Sequence, residues 1–440
     1  METTTEKIDI QISPENLLKT EPIQTQERME ILDVIRGFAL LGILIVNMAM
    51  FSNPLYFEFF SRSNMWTNFG IDMQANFWNA ATSGFINFFA QGKFYTIFAF
   101  LFGLGFFIFF ERAKAKTTKP TLLFYKRLLI LLLIGLIHAF FIWYGDVLVS
   151  YALFGLLLPL FFNARPKTIL IWAGAIFFAL VIFATLGLLA IRADENISAS
   201  LMGEWQVFLA DLKVLVANSF QAYGSGTFAE IQAQRTSDTL FMYQHILLNS
   251  IFIIFPLFLL GLYVGKKGIF QNIEANLPMI KKVWVWGLIV GLTLSTIKLI
   301  LKDPILTNPY SFYAMIHTVA GFFGDLGLAL FFMASLVLLY QNRKWFLRLK
   351  PLSYMGRMAL SNYLFQSIVC IFIFYNFGLG LYGQVGTALG LALAIFIFIV
   401  QIFISRLGLK HYQYGPVEWL WKSLTYGKSF RMKLSADTSL

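Results

Sequence analysis

Residues 128–162 read LLILLLIGLIHAFFIWYGDVLVSYALFGLLLPLFF. Tyrosines aside, this run carries only two ionisable side chains, His138 and Asp146, eight residues apart. A helix needs about 20 apolar residues to cross the hydrocarbon core of a bilayer. The run is too long for one crossing and suits two, Leu128–Tyr144 and Val147–Phe162, joined by a short turn at Tyr144 and Gly145. Lys126 and Arg127 precede it, and Arg165 and Lys167 follow it. Basic residues collect on the cytoplasmic side of membrane helices, so both open ends of this hairpin are expected inside.

The pattern repeats in both directions. Val34–Phe51, Ile86–Phe110, Thr168–Ile191, Ile246–Val264, Val283–Leu301, Gly324–Tyr340, Ala359–Phe377 and Gly386–Ser405 bring the expected spans to ten. The apolar stretch around the second of the ten starts near Phe77, so a surface helix or re-entrant piece is expected before Gly92 and Lys93. With the N-terminus inside, 27 of the 34 Lys and Arg fall in inside segments. One missed span would invert every later loop and destroy this bias. The expected fold is an all-α, polytopic membrane helix bundle with both termini cytoplasmic. Residues 1–30 read as a disordered polar tail, 31–405 as the bundle and 406–440 as a cytoplasmic C-terminal tail with a short interfacial helix around Pro416, Trp419 and Trp421. The outside loop 192–245 contains EWQVFLADLKVLVANSF, whose apolar residues recur at helical spacing.

Composition agrees. The chain is 58% hydrophobic and 13% charged, against about 25% charged in soluble proteins. The net charge of +11 does not point to nucleic acid, because the basic residues sit in short clusters between apolar runs. The single cysteine, Cys370, excludes an intramolecular disulfide. No apolar core of a cleavable signal peptide precedes Ile31.

Ionisable residues at membrane depth are expensive and mark candidate sites. His138, near the outer end of its span, and Asp146 can form a general base with its orienting carboxylate; the plainer reading is interfacial packing, with Asp146 capping the next helix. At the same face, Lys93, His245, His317 and Asp325 are candidates for contact with a substrate, against the plainer readings of snorkelling and packing. No two histidines have ligand spacing on one helix, so no metal is expected. At the inner face, Asp33 and Arg36 share a helix face, and Arg357 and Asn362 open another span. Arg36 is read either as half of an ion pair that marks orientation or as a planar fork for a phosphate or carboxylate. A basic inner pocket suits a coenzyme A ester or a lipid head group equally.

Six stretches carry a family resemblance: LDVIRGFALLGILIVN, GKFYTIFAFLFGLGF, RLLILLLIGLIHAFFIWYGDVLVSYALFG, GRMALSNYLFQSIV, GLGLYG and YGPVEWLWKSLTYGK. In this order they resemble the YeiB-like family of bacterial multi-pass membrane proteins. The opening motif also resembles that of a wider group of membrane acyltransferases, which includes heparan-alpha-glucosaminide N-acetyltransferase and the acyltransferase-three proteins. That resemblance implies acyl transfer from a cytoplasmic donor across the membrane by means of a histidine. In the heparan enzyme the histidine follows the first span. Here residues 47–91 contain none, so His138 takes its place or the mechanism differs. The leading expectation is a cell-membrane acyltransferase that uses acyl-CoA as donor substrate, with no tightly bound cofactor. Its partners would be membrane lipids and a cell-envelope glycan or lipid acceptor. The competing expectation is a small-molecule transporter or exporter.

Overall fold

The computed structural model describes residues 29–54, 76–301 and 311–434. The expected N-terminal tail falls outside this set up to residue 28. Every named element among the described residues is a helix: α1 (Glu30–Ser52), α2 (Phe77–Phe89), α3 (Lys93–Lys116), α4 (Pro120–Ile137), α5 (Leu148–Gly155), α6 (Leu158–Phe161), α7 (Pro166–Ala193), α8 (Glu195–Ser225), α9 (Phe228–Met242), α10 (Leu248–Lys266), α11 (Ile273–Ile300), α12 (Phe312–Tyr340), α13 (Arg343–Arg357), α14 (Ala359–Phe374), α15 (Thr387–His411) and α16 (Pro416–Tyr426). Two π-helical turns, His138–Ile142 and Tyr243–Leu247, continue α4 and α9.

Each of the ten apolar stretches lies largely on helix. Seven helices among the described residues are long and apolar enough to cross a membrane, or eight if α13 and α14, bent by 79°, count as one. The difference from ten lies in how three stretches are built. Val147–Phe162 is two pieces, α5 of 8 residues and α6 of 4. Pro159 sits in the first turn of α6, where its missing N–H costs nothing; inside one continuous helix it would break the ladder. α10 holds 19 residues with Pro256 inside it. α14 holds 16 and begins at the sharp bend after Arg357.

The second stretch is broken as well. α2 stops at Phe89 and α3 starts at Lys93, with Gly92 at φ +90° between them. Together the two helices form one apolar candidate span, Phe77–Lys116, of 40 residues that contains Ile86–Phe110. The outer-loop amphipathic segment is helical, within α8. His317, expected in a loop, lies in the second turn of α12.

Small residues let the long helices touch. A Cβ on Gly103 of α3 would lie 1.9 Å from the Phe258 carbonyl oxygen, and one on Gly261 of α10 would lie 2.0 Å from that of Phe100. In lipid, helix association depends on such close backbone packing rather than on a hydrophobic drive. The aromatic residues fill what remains: Phe102 stacks on Phe258 at 4.6 Å, and Phe177 on Phe322 at 3.9 Å.

Candidate functional site

The last carbonyls of a helix have no partner within it. At the end of α4 the chain closes a π turn, with the Trp143 N–H donating to the His138 carbonyl at 2.8 Å. The next three carbonyls are taken by one face of α9. Thr239 Oγ1 lies 3.0 Å from the Ala139 oxygen and shares its one hydrogen with the Arg235 oxygen at 2.8 Å, Gln232 Nε2 donates to the Phe140 oxygen at 2.7 Å and Arg235 Nη1 to the Phe141 oxygen at 2.8 Å. Gln232, Arg235 and Thr239 are spaced three and four apart, so they project from one side of the helix. Their grip holds His138 in place.

His138 is fully buried. Its Nδ1 lies 2.7 Å from Asp146 Oδ2, and its Nε2 lies 2.9 Å from Ser367 Oγ on α14. The other carboxylate oxygen of Asp146 accepts the Val149 N–H at 2.8 Å, in the first turn of α5. The expected His138–Asp146 pair is thus formed, and the capping contact of the plainer reading is formed by the same carboxylate. Ser367, 229 residues from His138 in sequence, was not among the expected residues. It lies five residues beyond Asn362 in the motif GRMALSNYLFQSIV, and nothing in residue type or spacing distinguishes it there.

A cavity of about 410 Å³ opens below this network. Arg36, Arg112, Arg127, Arg357 and Lys422 line it, with Glu418 as the one carboxylate. Apolar side chains of α1, α3 and α4 line its length, Leu40, Phe98, Phe102, Phe106, Leu128 and Leu131 among them. Val147, Leu148, Tyr151 and Tyr363 line it as well. The Tyr363 ring stands 5.1 Å from the His138 ring, centroid to centroid.

Of the inner-face candidates, Arg36 and Arg357 line this one cavity. Asp33 is buried and pairs with Arg36 at 2.8 Å. Asn362 is not on the cavity wall: its amide donates to the Met355 carbonyl at 3.2 Å and to Ser405 Oγ at 3.0 Å, joining α14 to α13 and α15. A ligand-binding role for Asn362 gives way to a packing one, because these bonds take up both of its amide hydrogens. Sequence reading took Arg112 and Arg127 only as orientation signals, yet both line the cavity. Trp421 lies over Arg127 at 3.7 Å and donates to its carbonyl at 2.8 Å, which docks α16 on α4. Glu418 of α16 accepts the N–H groups of Leu360 and Ser361 at 2.7 and 3.0 Å, and the Ser361 hydroxyl. It thereby caps the N-terminus of α14. Burial raises its pKa against these bonds.

The other outer-face candidates separate. Lys93 and Asp325 form a buried ion pair at 2.7 Å, joined by Lys298 at 2.9 Å from the other carboxylate oxygen. Lys93 does not snorkel: it is fully buried and also donates to the Gln91 carbonyl at 2.9 Å. His317 lies on α12, eight residues from Asp325. His245 falls in the second π turn, and its side chain is outside the described set. Among the described residues, no group of three or more His, Cys, Asp and Glu side chains could hold a metal ion.

The chain has relatives along nearly its whole length. A family model described as "Protein of unknown function (DUF418)" matches residues 264–428. The chain is 36% identical over 418 residues to "Uncharacterized protein YxaH" of Bacillus subtilis (strain 168), covering 92% of this chain and 96% of that protein. It is 25% identical over 410 residues to "Uncharacterized protein YeiB" of Escherichia coli (strain K12), covering 91% and 96%. A 39.9 kDa protein from the amylase 3' region of Bacillus acidopullulyticus is 28% identical over 427 residues, covering 95% and 99%.

Proposed function

We propose a function for this chain, which belongs to the DUF418 family of YeiB-like membrane proteins, as a membrane-embedded acyltransferase. An acyl-CoA would place its phosphates among Arg36, Arg357 and their basic neighbours and run its pantetheine arm along the apolar side chains, which would carry the thioester toward Tyr363 and His138. His138, oriented by Asp146, would act as general base for transfer to a cell-envelope glycan or lipid. Both termini would lie in the cytoplasm and the α8–α9 region outside, in the cell membrane.

One observation carries this reading. One cavity is lined both by basic side chains and by apolar ones, and Tyr363, which also lines it, is in ring contact with His138. Arginine offers a planar, bidentate fork to phosphate, and in an acyl-CoA the pantetheine arm separates the phosphates from the thioester, so a base that works on the thioester must sit away from the cationic side chains by the length of that arm. The test is incubation of the purified protein with radiolabelled acetyl-CoA and palmitoyl-CoA, with equilibrium binding measured alongside. Arg357→Ala is expected to weaken binding by roughly tenfold or more, the scale of a lost charge-assisted hydrogen bond. Equal binding by wild type, Arg36→Ala and Arg357→Ala would remove the inner site.

The Lys93–Asp325–Lys298 cluster favours a second reading, transport, because ion-coupled carriers keep paired charges within the bundle. Flux of an organic anion into proteoliposomes without any acyl product would select it.

A further inference from the structure

We propose that Ser367 is the nucleophile of this site and that the acyl group passes through an ester on its Oγ. The inference rests on the acyl-CoA reading above and adds a covalent intermediate to it.

The direction of the hydrogen bonds is the first argument. An ionised carboxylate only accepts. Asp146 therefore accepts from the Val149 N–H through Oδ1 and from His138 Nδ1–H through Oδ2. With its proton on Nδ1, a neutral imidazole presents a lone pair at Nε2. Ser367 Oγ lies 2.9 Å from that nitrogen, so in this tautomer the hydroxyl is placed to donate to the base.

Other serines of the same bundle supply the comparison. A helical serine commonly donates to the carbonyl four residues back. Ser219 does so at 2.8 Å and Ser335 at 2.7 Å. At Ser367 the corresponding distance, to the Tyr363 oxygen, is 3.4 Å. That backbone bond is the longer of its two contacts, and the imidazole at 2.9 Å is the nearer partner. The third argument is position. Tyr363 and Ser367 are four apart on α14 and share a face, and Tyr363 lines the cavity.

In the first half-reaction Ser367 Oγ attacks the thioester carbonyl. The Oγ–C bond forms and the C–S bond breaks; the hydroxyl proton passes to His138 Nε2 and from there to the leaving thiolate. In the second, an acceptor hydroxyl or amine attacks the ester, its proton passes to Nε2, and Ser367 recovers a proton as the C–Oγ bond breaks. No oxidant or further co-reactant is needed.

The experiment uses the full chain in detergent, without acceptor, mixed with acetyl-CoA or palmitoyl-CoA and quenched in acid over seconds. Free thiol and intact peptide masses are read together. Wild type is expected to release about one thiol per chain in a burst and to carry the acyl group on the peptide containing Ser367. Ser367→Ala should lose both, with thiol release down roughly a hundredfold or more. Ser367→Cys should carry a thioester that neutral hydroxylamine removes, whereas the wild-type ester resists it. A serine that merely packs against His138 would not shift that lability. Undiminished thiol release in a folded Ser367→Ala protein, or an adduct on another residue, would overturn the covalent step and leave the transferase reading standing. Failure of wild type to bind either acyl-CoA would overturn both.

Discussion

Arg235 Nη1 donates to the carbonyl oxygen of Phe141 at 2.8 Å, across 94 residues of sequence. With Gln232 and Thr239 it turns α9 into the cap of the π turn that begins at His138. Leaving one buried carbonyl unsatisfied costs about 1–3 kcal/mol. Thr239→Val keeps the shape of the side chain and deletes only the hydroxyl. It is expected to lower the unfolding midpoint in detergent and to speed hydrogen exchange at the Trp143 amide, while Ser225→Ala, an exposed control, changes neither. Slow exchange at Trp143 in the variant would mean that α9 does not hold the turn.

Asp238, on the same helix, is fully buried, accepts from the Tyr223 hydroxyl at 2.5 Å and from Gln234 Nε2 at 2.9 Å, and is pushed by desolvation up to about 7. A carboxyl whose folded pKa lies above its unfolded value binds more protons when folded. Its contribution to stability is therefore full below about pH 4 and declines as pH rises to about 7, beyond which it is flat. Integrated over that window the loss is on the order of 4 kcal/mol. Asp238→Asn cannot ionise. The difference in unfolding free energy, wild type minus Asp238→Asn, is expected to fall between pH 4 and 7 and then level off; a difference that rises with pH would reverse the assignment.

What could be read from sequence follows from which forces are local. Apolar run length and the placement of Lys and Arg are properties of short windows, so the helices and the His138–Asp146 pair, eight residues apart across a turn, were visible. Arg36 and Arg357 could be singled out one by one, but the cavity that joins them depends on how α1, α13 and α14 meet. Ser367 was silent because its partner is 229 residues away and a serine in a helix ordinarily bonds its own backbone. The break at Gly92 was partly legible and the one at Pro159 was not read, since only packing decides whether a membrane helix kinks or stops at such a residue.

Gly92 shows how tightly one such break is specified. At φ +90° a side chain is strained, and a Cβ there would lie 1.8 Å from Asp325 Oδ2. The strain alone is about 1–2 kcal/mol, and the carboxylate would have to leave Lys93 or Lys298. Breaking a buried ion pair by displacing one partner costs about 3–5 kcal/mol. Gly92→Ala is expected to reduce the yield of folded protein sharply. Gly84→Ala on the preceding helix, where a Cβ meets nothing within 4 Å, should be neutral. Equal thermal stability of the two variants would show that the Lys93–Asp325–Lys298 cluster contributes little.

His138→Gln tests the centre of the site. The amide can still bond to Asp146 or to Ser367, so insertion and folding should survive, but it cannot take up a proton. Loss of a general base typically slows a reaction on the order of a hundredfold to ten-thousandfold, and acyl transfer is expected to fall on that scale. Asp146→Asn asks a finer question. Asp146 uses both oxygens as acceptors, one for Val149 and one for His138, and asparagine has only one acceptor oxygen. Either the Val149 amide loses its cap, or an NH₂ faces Nδ1 and forces the histidine proton onto Nε2. In the second arrangement the lone pair no longer faces Ser367. Asp146→Asn should therefore lower the rate while leaving donor binding unchanged, since Asp146 is not among the side chains that line the cavity. Unequal donor binding in Asp146→Asn would make it a packing residue. Near-normal turnover by well-folded His138→Gln would remove the histidine from the chemistry, and the serine with it.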